Sequence, residues 1–222
     1  MSTTEQATAD VPSPAAGARR WGDVAALVAR RVTMLQETRT RSGTVAALAH
    51  LRANVGREPG ADPRIWNLTV DGMPGDPRGD QASFEERAVH AALTLFAVHQ
   101  QSRPTGMHQH GVGLGQAVSR LDRIRGGGDA EHTSPVRRRF DAVVTSESLG
   151  EAVHHLRGLV TQLRSEGIGL DYGMLAGDLD QLQRPGGADA VRRRWARQFH
   201  HLDAGIGAGP NESNETTTEE QQ

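Results

Sequence analysis

Apolar residues recur along most of this chain at the three- and four-residue spacing of an α-helix, and no convincing run alternates with the two-residue period of a strand. Residues 21–40 place Val24, Leu27, Val28 and Leu35 on one face. Arg31 shares that face, so it must snorkel at its edge or meet a partner. A second helix is expected over Thr44–Val55, closed by Gly56. The stretch Gly60–Asp80 is rich in Pro and Gly and reads as a long loop. Its apolar knot Ile65-Trp66-Asn67-Leu68 should dock it onto the core, since a loop this long without an anchor is unusual. Ser83 and Glu86 have capping-box spacing, and Val89–Val98 is apolar nearly all round, as befits a helix at the centre of a bundle. His99, at the end of that helix, reads as a capping or packing residue.

The second half follows the same pattern. A polar, Gly-rich loop leads into a short helix near Leu114–Leu121, and Gly126-Gly127-Gly128 marks a break. Ser134 with Pro135 begins a helix whose seam is Val136, Phe140, Val143 and Val144. Ser148 and Glu151 again have capping-box spacing, and Val153, Leu156, Val160 and Leu163 share a face until Gly167 stops the helix. Asp171 opens another helix, with Leu175, Leu179 and Leu182, that ends at Pro185-Gly186-Gly187. The last buries Val191, Trp195, Phe199 and Leu202. The expected fold is all-α, two helical bundles with a Gly-rich connection: an N-terminal bundle over residues 19–101 and a C-terminal bundle over 102–202. Residues 1–18 and the acidic segment 203–222 lack an apolar face, cannot offset chain entropy by burial, and are expected to be disordered tails.

Charge changes this picture more than length does. The formal net charge is -2, but all 25 basic residues are Arg and all lie between Arg19 and Arg197. Seven of the 27 acids lie outside that stretch, which leaves 20 acids against 25 arginines within it. The folded part is therefore basic and the tails acidic. With no Cys there are no disulfides or thiolate metal sites. No apolar run suits a signal peptide or a membrane span, so a cytoplasmic protein without a membrane partner is expected.

The helical wheel sorts the arginines. In the helix from Ser134, Arg138 points away from the seam, with Arg137 and Arg139 flanking it. In the last helix Arg193 and Arg197 lie on the outer face with Arg194 beside them, while Arg120, Arg123 and Arg125 mark the segment between the bundles. Guanidinium is planar, permanently charged and weakly hydrated, which suits phosphate oxygens. The plainer alternative is a solvated face of weak ion pairs. Adjacent histidines such as His154-His155 and His200-His201 diverge on a helix, so no metal site is expected. Gly111-Val112-Gly113-Leu114-Gly115 lacks the strand and Lys of a nucleotide loop and reads as a turn into a helix N-terminus, which could still receive a backbone phosphate. Paired acids (Glu85-Glu86, Asp178 and Asp180) have no convergent partner in the pattern, so no acid–base centre, cofactor or enzyme activity is expected.

Several segments together resemble the CasB family: Phe96-Ala97-Val98-His99-Gln100-Gln101-Ser102, Gly111–Gly115, Arg137-Arg138-Arg139-Phe140, His154-His155-Leu156-Arg157-Gly158, and Arg194-Trp195-Ala196-Arg197-Gln198-Phe199. Leu51-Arg52 through Gly60, with Trp66, extends the likeness, which spans roughly residues 21–202. That family is the small subunit of the type I-E Cascade effector of bacterial CRISPR immunity. The resemblance implies a non-catalytic subunit, present with a second copy of itself and with the backbone and large Cascade subunits. It would help hold the guide RNA–target DNA hybrid and the displaced DNA strand by sequence-independent contacts. Arg52, Arg137, Arg138 and Arg157 match basic positions of the family motifs, and Arg123 and Arg193 join them from their clustering. Gln116 and Ala53 stand where the family commonly has Arg. A helical scaffold that binds protein only, its arginines pairing with acids on partners, is the competing reading.

Overall fold

The computed structural model describes residues 14–73, 80–126 and 133–204. These are helical, in the order α1 (Pro14–Glu37), α2 (Ser42–Ala53), a 3₁₀ turn (Pro63–Ile65) running into α3 (Trp66–Thr69), α4 (Phe84–Gln100), α5 (Leu114–Ile124), α6 (Pro135–Thr145), α7 (Leu149–Glu166), α8 (Tyr172–Leu182) and α9 (Gly187–Ala204). The only extended pairing among the described residues is an isolated bridge between His108 and Leu170. No described helix is long and apolar enough to cross a membrane. The disorder expected of residues 1–13 and 205–222, the break at Gly127-Gly128 and the packing of Leu202 lie outside what is described.

Local chemistry explains most boundaries. The Ser83 capping box is complete: Ser83 Oγ accepts from Glu86 N, and the Glu86 carboxylate accepts from Ser83 N at 2.7 Å. Ser148 caps α7 in the same sense, but the Glu151 carboxylate reaches back to Glu147 N instead of Ser148 N. Gly167 closes α7 in the left-handed region at φ 69°. One boundary corrects the sequence reading. Helix α1 starts at Pro14, inside the segment expected to be tail, because Pro at the first helical position costs no hydrogen bond and Ala15-Ala16 are strong helix formers.

Helix α4 lies at the centre. Every residue from Ala88 to Gln100 is buried, and each large apolar side chain among them contributes on the order of 2 kcal/mol. It is enclosed by α1, α2, α7 and α8, and α1 packs most extensively on α8. The two halves of the chain therefore share one buried cluster, running from Val24 to Phe199. The loop knot docks as expected: Ile65 and Leu68 are buried, while Trp66 stays 49% exposed and donates its indole N–H to the Gly60 carbonyl at 2.8 Å. Arg31 meets its partner in the same loop, donating to the Asp71 carbonyl.

Buried polar groups tie the helices together. His99 on α4 shares a 2.9 Å hydrogen bond with the hydroxyl of Tyr172, which is fully buried at the start of α8. The loop after α4 is stitched to the start of α8: Gln109 N donates to Leu170 O, Leu170 N to Met107 O, and Asp171 N to Val112 O. The acids with no partner in the pattern find one in three dimensions. Asp178 accepts from Arg194 and, at 2.7 Å, from the indole of Trp195. Glu85 and Asp180 converge on Arg184 at 2.6 and 2.7 Å. These are structural ion pairs.

Two outcomes follow from these buried groups. Asp178→Ala removes the buried carboxylate that Arg194 and the Trp195 N–H share and is expected to cost about 3 kcal/mol in chemical denaturation, a loss under 1 kcal/mol refuting the structural role. Burial pushes His99 down to about 3, with Arg164 and Arg103 adding to the shift, and burial also lowers His90 and His108. An unfolded histidine takes its proton near pH 6.5 whereas folded His99 refuses it until about pH 3. Stability is therefore expected to be full above pH 6.5 and to fall between those limits, by up to ~1.4 kcal/mol per pH unit for His99. Denaturation midpoints at pH 7.5 and 5 check this, and His99→Gln should flatten the slope.

Candidate nucleic-acid interface

The phase of α6 is set by Ser134, whose Oγ accepts from Arg137 N at 2.9 Å, and by Pro135 at the first position. With Val136, Phe140 and Val143 turned inward, Arg138 and Arg139 are exposed and Arg137 is half-buried. Arg137 is the most committed of the three. Its Nε donates to Asp141 at 3.1 Å, and its guanidinium lies 4.6 Å from the ring centroid of Phe199, which stacks on Phe140. It thus holds α6 to α9. Among the described residues exposed Arg138 makes one side-chain hydrogen bond, to the Thr133 carbonyl at 2.9 Å. Arg139 lies along α7: a Cβ on Gly158 would come within 3.2 Å of its Cδ. The next residue back, Arg157, is exposed, and its guanidinium has no hydrogen bond or ion pair among the described residues. Packing of α6 on α7 therefore brings Arg139 beside the turn of α7 that carries Arg157, from a distant stretch of sequence.

Helix α9 divides its arginines. Val191, Trp195 and Phe199 face inward, leaving Arg193 and Arg197 exposed and without a partner among the described residues. Arg194 does not stand beside them on the outer face. It turns inward to Asp178 and donates to Gln181 Oε1 at 3.0 Å. Arg192 caps α6, donating to Val144 O at 2.7 Å and Ser146 O at 3.2 Å, where helix carbonyls carry partial negative charge. On α5, Arg123 is exposed and unengaged among the described residues, whereas Arg125 pairs with Glu166 at 2.8 Å.

Arg52 sits in the last turn of α2, half-buried, with no hydrogen bond or ion pair among the described residues. Burial lowers its pKa, and the charge of Arg164 lowers it further. Around it stand three arginines that the wheel did not single out. Arg39 donates twice to the Pro104 carbonyl, at 2.7 and 3.0 Å. Arg164 donates to Val98 O and Gln101 Oε1. Arg103 lies against the left-handed Gly167. Their only common signal in the sequence is a position near a helix C-terminus, which attracts cations.

The Gly111–Gly115 run serves packing. A Cβ on Gly115 would lie 2.1 Å from the Trp195 carbonyl, so glycine is what lets α5 and α9 approach. Its N–H already donates to Gln198 Oε1 at 3.2 Å, so the helix N-terminus considered for a phosphate is filled from within the chain. Where the family commonly has Arg, Gln116 is half-buried and Ala53 exposed.

A protein-family model described as CRISPR-associated protein Cse2 matches residues 47–200. The solved structure of CasB from Thermobifida fusca is 38% identical, with a TM-score of 0.64 over 81% of this chain and 98% of that one. A chain of a CRISPR RNA-guided surveillance complex shares the fold at 23% identity and a TM-score of 0.59, covering 83% of this chain and 98% of that one. So does M. ruber CasB, at 21% and 0.55, over 78% and 94%. No curated protein sequence matches the chain.

The different commitments of Arg137 and Arg138 are measurable. Arg137→Ala is expected to cost about 1 kcal/mol of stability through its lost contact with Phe199 and Asp141, and Arg138→Ala less than about 0.5 kcal/mol. Equal losses in thermal or urea denaturation would contradict this division.

Proposed function

Because this chain belongs to the family of CRISPR-associated protein Cse2, we propose that it is a non-catalytic subunit of a CRISPR RNA-guided surveillance complex of the Cascade type. In that role its arginines grip the nucleic-acid backbone, steadying the guide RNA–target DNA hybrid and the displaced DNA strand. The backbone and large Cascade subunits and a second copy of the chain are its proposed neighbours. No cofactor is needed for such a role.

The observation that carries the reading is the division of labour among charges. Glu85, Asp178 and Asp180 are taken up by Arg184, Arg194 and Trp195. The side chains of Arg52, Arg123, Arg157 and Arg193, by contrast, have no hydrogen bond or ion pair among the described residues, and Arg138 spends one donor on a backbone carbonyl. Arginines left free on packed helices are suited to phosphate oxygens, and on their own they carry no base readout. Guide pairing supplies sequence specificity in an RNA-guided complex, so a backbone grip is what such a subunit has to contribute. Arg137 fits this role less well than its neighbours because it is already bound to Asp141 and Phe199.

The test uses the assembled complex with a fluorescent target duplex. Arg138→Ala and Arg157→Ala should each weaken target retention by a similar factor for all target sequences, and each lost phosphate contact should reduce the slope of log affinity against log salt by ~1. Unchanged retention and slope in both variants, in complexes that assemble normally, would favour a protein-only scaffold. Failure of the chain to co-purify with guide RNA and larger CRISPR subunits from cells with an intact locus would remove the reading altogether.

A further inference from the structure

Between the end of α2 and the loop after α4 lies an open cavity of about 540 Å³, within the range of small-molecule sites, about 300–1,000 Å³. Its lining has two kinds of surface. Arg39, Arg52 and Arg103 supply positive charge, and no Asp or Glu among the described residues lines it. Val45, Leu48 and Pro104 supply an apolar wall, Val45 being 50% exposed in spite of its side chain. Arg39 spends its donors on the Pro104 and Gln36 carbonyls. Arg52 has no partner among the described residues, and Arg103 Nε is buried without one. Ser102, on the rim, has φ 57°, the one non-glycine residue with positive φ among those described. A serine held there costs on the order of 1 kcal/mol, and such strain gathers at ligand sites.

A duplex offers a cavity of this shape only phosphates, which would leave the apolar wall bare. A free phosphate does the same. A nucleotide whose base has left the stack satisfies both surfaces, its phosphate meeting Arg52 and Arg103 and its base lying on Val45, Leu48 and Pro104. We propose that this cavity takes one unstacked nucleotide of a single-stranded nucleic acid, phosphate on the arginines and base on the apolar wall. This rests on the nucleic-acid reading above and adds to it a preference for single strands and a place where one base is held.

The full-length protein and a short oligonucleotide test it, with 2-aminopurine at the central position to report unstacking and an abasic residue there as control. Wild type should bind the intact strand roughly fivefold more tightly than the abasic one, and 2-aminopurine emission should rise on binding. Val45→Ser, at an exposed position, should abolish that difference and leave abasic affinity unchanged. Arg52→Ala, which breaks no described hydrogen bond, should weaken both strands. Equal affinity for intact and abasic strands with no rise in emission overturns the pocket while leaving the backbone grip intact. Binding of neither strand overturns both. Binding of an Asp/Glu-rich peptide in an Arg52-dependent manner, without oligonucleotide binding, reassigns the cavity to a carboxylate partner and also overturns the proposal.

Discussion

From Ala88 to Gln100 every side chain of α4 is buried, so this helix is compatible with water only once others have closed around it. That constraint organises the rest. Four helices have to present apolar faces to α4, and they come from both ends of the chain, α1 and α2 from one side and α7 and α8 from the other. Once they are gathered, polar groups that cannot avoid the interior have to be satisfied there. His99 therefore meets Tyr172, and the loop after α4 is sewn by backbone hydrogen bonds to the start of α8.

The same enclosure decides what the arginines do. Helices that end against a packed core leave carbonyls with no partner in their own helix, and arginine, with several donors on a long stem, is suited to reach them. Arg164 serves the end of α4 and Arg192 the end of α6. Arg184 and Arg194 pair with the core acids Asp180 and Asp178. What remains is a smaller set on outer faces and at the edge of one cavity. A chain with net charge -2 can thus expose basic regions, because several of its acids are internal and others lie in the segment beyond residue 202.

Glycine shows how a sequence signal can be read correctly as to place and differently as to purpose. Gly111–Gly115 was expected as a turn into a helix, and α5 does begin there, with Gly113 at its N-cap. The reason for Gly115 is the Trp195 carbonyl, eighty residues on in the chain and 2.1 Å from where a Cβ would stand. Nothing local in the sequence could distinguish a glycine kept for a phosphate from one kept for another helix.

By itself, the sequence determined the helices, most of their caps, the inward faces and the outward direction of Arg138, Arg193 and Arg197, since each depends only on residues within a turn or two and a period of about 3.6. It also carried the family likeness, through motifs whose order and spacing survive in a linear reading. Only the tertiary structure decided that Arg194 is spent on Asp178 and Arg137 on Phe199. It alone placed Arg139 against α7 and assembled Arg39, Arg52 and Arg103 around one cavity. Those outcomes depend on which helices cross and at what points. Helix crossing is set by packing between residues far apart in the chain, and periodicity carries no record of it.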